Sequence, residues 1–243
     1  MRITDRMLGE VRRIFEALWT GYGPQGWWPA EHPWEMMVGA VLTQGTAWRN
    51  AVRCLENLSA GRLLDHPAQL LDVSVHCLEE MLKPGGFWRV KARRLRALSR
   101  FIVDRWEGDL DRMFAVPTAL LRRKLLSVDG IGPETADCIL LYAARRPVAV
   151  ADAYTRRILQ RCGVTGELGY EATRRLLEAA FPGEVEKLQE LHALMVRVGK
   201  ECCRKRRPRC GACLLESLCE AAAGTGPSPG GVRGPRRNCL RGG

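Results

Sequence analysis

The chain has 243 residues, 38 Lys and Arg against 27 Asp and Glu for a formal charge of +11, and 46% apolar residues. That composition excludes wholesale disorder and a collagen-like repeat, and apolar runs such as Cys138 to Ala144 break well short of the ~20 residues a bilayer crossing needs. The amino terminus lacks an unbroken apolar stretch with a cleavage site, so a cytoplasmic chain that meets no membrane is expected. The positive excess calls for a polyanionic partner, although part of it sits in one cluster, Arg204 to Arg209, and in a Gly/Pro-rich tail with Arg233, Arg236, Arg237 and Arg241.

Apolar residues recur at three- and four-residue spacing and alternating runs are scarce, so the fold is expected to be nearly all helix. Met7, Val11, Ile14, Phe15 and Leu18 make one face of a first helix that stops near Gly21, before a loop at Pro24-Gln25-Gly26. Helices follow over Trp34 to Leu42 and Trp48 to Leu58. Ser74 caps a short helix closed by Pro84-Gly85-Gly86, and Lys91 to Trp106 supply a basic amphipathic one. Pro117 opens the next at its first turn, ending before Asp129. Pro133 starts a helix that runs to about Arg145, and Asp152 starts one that ends at Gly163. Tyr170 to Phe181 and Val185 to Val198 fit two more. Gly199 to Cys219 form a cysteine-rich, basic ligand loop, and the tail over 223–243 is expected to be disordered because it cannot build a core.

Ten cysteines without an export signal point to metal ligation or plain burial rather than disulfides. Cys203-x6-Cys210-x2-Cys213-x5-Cys219 sets four thiols within seventeen residues, close enough to wrap one metal centre. By residue type alone, zinc and a [4Fe–4S] cluster serve equally, though zinc modules usually present two close pairs separated by a longer loop. Cys202 adjoins Cys203 as a competing ligand, with the spacing in favour of Cys203. Arg204, Lys205, Arg206 and Arg207 crowd like charges that a phosphate backbone would neutralise; a solvated charge run is the alternative. Cys54, Cys77, Cys138 and Cys162 fall on helical patterns as buried thiols.

Leu126 to Ala136 read as helix, tight glycine turn and second helix, and resemble the helix-hairpin-helix element. Gly130 and Gly132, with Ile131 between them, let the backbone pass close to a phosphate, and the free amides at the start of the second helix point at it. Such contacts fix position and carry no base information. Further on, the apolar stretch Pro147 to Ala151 ends in Asp152, an acid at the head of a helix, where it serves as an N-cap.

Hairpin, acid and cysteine loop, in this order, resemble the endonuclease III family of DNA repair glycosylases over about Trp27 to Cys219. The resemblance implies a [4Fe–4S] cluster on Cys203, Cys210, Cys213 and Cys219, and a catalytic role for Asp152, whose ionised form the helix dipole favours. Gln44 matches the residue that plugs the gap left by a flipped base. Members that also cut the strand carry a lysine two residues after the second hairpin glycine; here that position is Glu134, which cannot form the Schiff base that lyase chemistry requires. Trp27-Trp28-Pro29, Met37 to Thr46, and Lys83 to Trp88 with Lys91 to Leu95 are similar to the branch of 3-methyladenine DNA glycosylase III, which also has a glutamate at the Glu134 position. That likeness implies a base sandwich of Trp27 and Trp48, with Lys200 close to the pocket. The better-known member of that branch lacks the cluster loop that this chain retains.

The expected fold is all-α and two-lobed: a six-helix lobe over 32–146 with the hairpin, and a cluster lobe from 1–31 plus 147–222, with double-stranded DNA and the base pocket in the cleft between. A monomer acting on damaged bases flipped from the duplex is expected, hydrolysing the N-glycosidic bond of alkylated, 3-methyladenine-like bases without strand cleavage, with Asp152 and Glu134 as the candidate catalytic pair. The other readings are an endonuclease III-like glycosylase/lyase for oxidised pyrimidines, a glycosylase for mismatched thymine, uracil or adenine, and a DNA-binding protein without catalysis.

Overall fold

Thr4 accepts the Met7 amide and so opens α1 (Asp5–Tyr22), the first helix of a computed structural model that describes residues 2–223. Its periodic face buries Val11, Ile14, Phe15 and Leu18. The second helix, α2 (Pro33–Leu42), is buried almost all round from Met36 to Leu42, the pattern of a helix at the centre of a core. Around it stand α3 (Trp48–Ala60), α4 (Gln69–Asp72), α5 (Val75–Leu82), capped by Ser74 and followed by a 3₁₀ turn at Lys83–Gly85, and α6 (Trp88–Trp106). Next come α7 (Leu110–Phe114), α8 (Thr118–Leu126) and α9 (Pro133–Cys138). The chain closes with α10 (Ala153–Arg161), α11 (Tyr170–Ala180), α12 (Val185–Glu201) and α13 (Glu220–Ala223), and the described residues contain no strand.

α2 packs on α3, α6 and α9, while α1 packs on α11 and α12, and α10 lies against α12. One continuous apolar core joins them, with Trp34 and Met37 of α2 fully buried within it. A side chain of that size contributes about 1.5–3 kcal/mol on burial.

The helix expected from Pro133 to Arg145 is regular only as far as Cys138 and then widens into a π turn over Ile139–Ala143, where the Ala144 amide donates to Ile139. From that turn Tyr142 reaches α12. The helix expected from Lys91 starts at Trp88, and the one expected to stop at Val198 runs on to Glu201. Both α4 and α7 lie outside the expected set. Ala223, assigned to the tail, ends α13, and the tail beyond it lies outside the described residues. Of the four cysteines expected in the core, Cys77 is only half-buried.

A buried ion network ties the hairpin to α11. Asp137, fully buried on α9, accepts two bonds from Arg122 of α8, at 2.6 and 2.9 Å, and one from Tyr170 Oη at 2.9 Å. Arg122 also meets Glu171, and Arg174 bridges Glu171 and Glu178. Glu178 in turn accepts the Ala149 amide at 3.1 Å, so the network fixes the segment leading to Asp152.

Candidate active site

Asp152 stands at the N-cap of α10, where Oδ1 accepts the Thr155 amide at 2.7 Å, and the residue is only 5% exposed. Oδ2 faces His192 Nε2 of α12 at 3.9 Å, beyond hydrogen-bond reach. His192 Nδ1 in turn lies 2.8 Å from Tyr142 Oη, which is 3.1 Å from the Gln189 carbonyl. Burial lowers the pKa of His192; nearby Asp152 opposes that and Lys200 adds to it, so the ring is neutral at pH 7.

Aromatic rings continue from Tyr142. Trp28 meets it edge-on at 5.6 Å between centroids, Trp48 meets Trp28 at 5.6 Å, and Trp27 meets Trp48 at 4.6 Å and 66°. Trp27 and Trp48, expected to flank a base, are thus brought together and touch edge to face, and Trp28, not singled out by the sequence, is the link to Tyr142. A planar base between them would need the rings parallel and about twice the 3.5–4.0 Å contact distance apart, a spacing that this edge-to-face pair does not have. The loop bearing Trp27 is pinned from α12, since Glu190 accepts the Gln25 and Gly26 amides at 2.8 and 3.2 Å.

Glu134 lies at the head of α9 and keeps solvent contact, yet the protein packed beside it and the charge of Asp152 both raise its pKa, against the pull of Arg156. Lys200 is exposed in the last turn of α12.

In the hairpin, Gly130 has φ +80°, and a Cβ there would stand 2.2 Å from the Arg94 side chain, so only glycine fits. Ile131 is buried beneath the turn, and Gly132 caps α9. Gln44 is engaged here rather than free: Nε2 donates to the Gly130 carbonyl at 3.0 Å and to Thr135 Oγ1 at 2.8 Å, while Oε1 accepts from Arg94 at 2.6 Å. Beside Gly45 lies Phe87, 69% exposed at φ +49°, an aromatic that the sequence reading did not single out.

Cys203, Cys210, Cys213 and Cys219 line one hollow of about 90 Å³, together with Cys202 and Arg161. Arg161 of α10 donates to Cys203 Sγ at 3.3 Å and to the carbonyls of Arg204 and Lys205, and Arg157 donates to the Cys203 carbonyl at 2.9 Å. Burial first, and the neighbouring thiols after it, push the Cys213 thiol up to about 11. An all-thiol donor set that a cation would deprotonate fits a thiophilic centre, although among the described residues no three His, Cys, Asp or Glu side chains stand in ligating geometry. Arg204, Lys205, Arg206 and Arg207 are exposed and sit by Arg161, nine residues and so about 13 Å along α10 from Asp152.

An all-helical fold with a glycine hairpin, followed by a buried aspartate beside an aromatic cluster, defines a class of DNA-processing enzyme. The chain belongs to the HhH-GPD superfamily of base excision DNA repair proteins, whose model matches residues 38–182, and it is a base excision repair DNA glycosylase of the HhH-GPD/endonuclease III superfamily. It is 40% identical over 212 residues, 86% of this chain and 95% of the other, to MJ1434 of Methanocaldococcus jannaschii, a protein assigned as a DNA repair glycosylase. The Helicobacter pylori 3-methyladenine DNA glycosylase, solved with 1,N6-ethenoadenine, superposes with a TM-score of 0.69 at 28% identity, covering 79% of this chain and 97% of that one. A non-covalent endonuclease III–DNA complex superposes with a TM-score of 0.76 over 90% of this chain and 97% of that one, at 20% identity, a likeness of fold. No helix among the described residues is long and apolar enough to cross a membrane.

Proposed function

We propose that the chain is a monofunctional, monomeric cytoplasmic DNA glycosylase that releases alkylated, 3-methyladenine-like bases from duplex DNA. The observation that carries this reading is the aromatic chain Trp27, Trp48, Trp28 and Tyr142, joined through His192 to Asp152, with Glu134 where a lyase needs an amine. A methylated purine already carries positive charge, so its C1′–N bond is weak and asks for no strong general acid. Stacking against Trp27 and Trp48 adds about 0.5–2 kcal/mol of cation–π attraction, which a normal adenine lacks.

The C1′–N bond breaks with its electron pair passing to the base, and Asp152 stabilises the sugar cation through Oδ2. Water then adds its oxygen to C1′ and gives its proton to the Asp152 carboxylate. Glu134, its pKa raised, holds or orients that water. The hairpin amides around Gly130 and Gly132 and the basic run Arg204 to Arg207 take phosphates, with DNA in a cleft between lobes over 32–146 and over 1–31 plus 147–222. Gln44, released from Gly130, Thr135 and Arg94, fills the gap in the duplex, and Phe87 beside it wedges the opposite strand. Cys203, Cys210, Cys213 and Cys219 would hold a [4Fe–4S] cluster, which when bound supplies cross-links to a loop whose only buried side chain between Arg204 and Cys219 is Leu215.

Base release from duplexes bearing methylated, deaminated or oxidised bases tests the reading. Methylated purines should be released fastest, and Trp27→Ala and Trp48→Ala should each slow that release more than they weaken binding to an abasic duplex. Borohydride should trap no protein–DNA adduct. Faster release of uracil or thymine glycol, or a trapped adduct, would replace the substrate or the monofunctional assignment.

A further inference from the structure

We infer that Lys91 is a positioning residue, whose buried ammonium holds the turn that presents Phe87 to the duplex. The inference rests on the reading of Phe87 as a wedge and deepens it. Phe87 is 69% exposed and sits at φ +49° and ψ 33°, a left-handed conformation that residues with a Cβ disfavour and that persists only where the surroundings impose it. It stands at the N-cap of α6, where no side-chain cap bond holds the helix start. Lys91, in the first turn of α6, grips the chain on both sides of Gly86. Its backbone amide donates to the Phe87 carbonyl at 2.9 Å, and its Nζ donates to the Gly85 carbonyl at 2.8 Å. The two anchored carbonyls bracket Gly86, at φ +65°, and Phe87 itself.

Packing alone does not call for an amine here. Lys91 is 1% exposed, and Met or Leu would fill the space without taking a charge out of water. Burial lowers the pKa of the amine; Cys54 opposes that and Arg94 adds to it. Among the described residues no carboxylate pairs with Lys91, and the Gly85 carbonyl is the acceptor its side chain meets. The site is shaped for that bond. A Cβ at Gly85 would stand 2.9 Å from Cys54 Sγ and 3.4 Å from Lys91 Nζ, so glycine lets the amine reach the backbone. Cys54 Sγ of α3 donates to the Leu82 carbonyl at 3.5 Å, which ties the start of the turn to α3 as Lys91 ties its end to α6. What the turn carries is Phe87, beside Gly45 and thus next to the gap-filling Gln44. Without the ammonium the buried Gly85 carbonyl loses this donor, and the turn can relax from the left-handed backbone at Phe87.

The test uses the full chain and the variants Phe87→Ala, Lys91→Met, Lys91→Arg and the double variant Phe87→Ala with Lys91→Met. The probe is a duplex with 2-aminopurine opposite a stable abasic analogue, whose fluorescence rises when the orphaned base is pushed from its stack, so the readout does not depend on which base the enzyme releases. The wild type should give this rise, and Phe87→Ala and Lys91→Met should each remove most of it. Affinity for the probe duplex should fall about tenfold in both, since a wedge that offsets a small part of the unstacking cost is worth that much. The double variant should lose no more than Phe87→Ala does, because Lys91 acts through Phe87. Lys91→Arg, which keeps a charged donor, should recover part of the rise. A lysine that only stabilises the fold would add its loss to that of Phe87→Ala. Additive losses, or a full fluorescence rise in folded Lys91→Met, would overturn the inference. Lys91→Gln, whose amide ends one atom short of the ammonium, carries the same comparison if Lys91→Met does not fold. If Phe87→Ala itself keeps the full rise and affinity, the wedge reading fails; if Phe87→Ala loses them while Lys91→Met keeps them, only the present inference does.

Discussion

At the start of α10, Asp152 follows the buried run Val148 to Ala151 and closes the first helical turn, whereas at the other end Arg157 and Arg161 spend their guanidinium groups on a loop with almost no apolar anchor. The first arrangement is made by the core, and the carboxylate stays in position whatever it does chemically. The second is made by cross-links: donors from one helix, carbonyls from the loop, and four sulfurs around a hollow. The same helix therefore joins a site that can lose its chemistry without losing its shape to one whose shape depends on its chemistry.

The largest contrast should come from Cys213→Ser against Asp152→Asn. The first should abolish most soluble expression and the brown absorbance of thiolate-bound iron; colourless wild-type protein with stoichiometric zinc would break that half of the comparison. The second should cost base release about 100-fold or more with the melting temperature nearly unchanged, because Asn caps a helix as well as Asp does. Next, Arg161→Ala removes charged donors from Cys203 and two loop carbonyls and should lower stability by about 1.5–3 kcal/mol in a urea titration. Full activity per folded molecule would sharpen the separation of the two ends.

The smallest effect is on pH. The folded-state pKa of His192 lies below its ordinary value of 6.5, so on acidification the unfolded chain takes up the proton first. Its contribution to stability is full above 6.5 and is lost as the pH falls below it, by at most about 1.4 kcal/mol per pH unit. In urea titrations from pH 7 to 5, His192→Gln should lose less stability than the wild type. An identical slope in the two proteins would put the titrating group elsewhere.

The long helices were legible because their periodic faces are the ones that became buried, as with Val11, Ile14, Phe15 and Leu18. Asp152 was legible as a cap because the apolar run before it ends at an acid. Short helices such as Gln69–Asp72 and Leu110–Phe114 span too few residues for a period to register. Tyr142 and His192 were hidden for a different reason. Each sits in an apolar stretch, Ile139–Ala143 and Leu191 to Met195, and reads as core until the π turn and α12 bring them together. A hydroxyl or imidazole within an otherwise buried run was the available signal. Phe87 was masked because it borders a glycine pair that reads simply as a helix stop. The three bonds on Gln44 come from Gly130, Thr135 and Arg94, partners 50 to 91 positions away, which no local pattern announces.

Gly199 gives the geometry of the site a narrow mechanical tolerance. A Cβ at that position would stand 2.4 Å from the ring of Tyr154, so α10 and α12 approach each other at a separation that only a missing methyl group allows. The same two helices carry Asp152 and His192. Any side chain at the buried Gly199 would force Tyr154, two residues along α10 from Asp152, away from α12, so the bare backbone at this crossing sets the reach between the carboxylate and the imidazole.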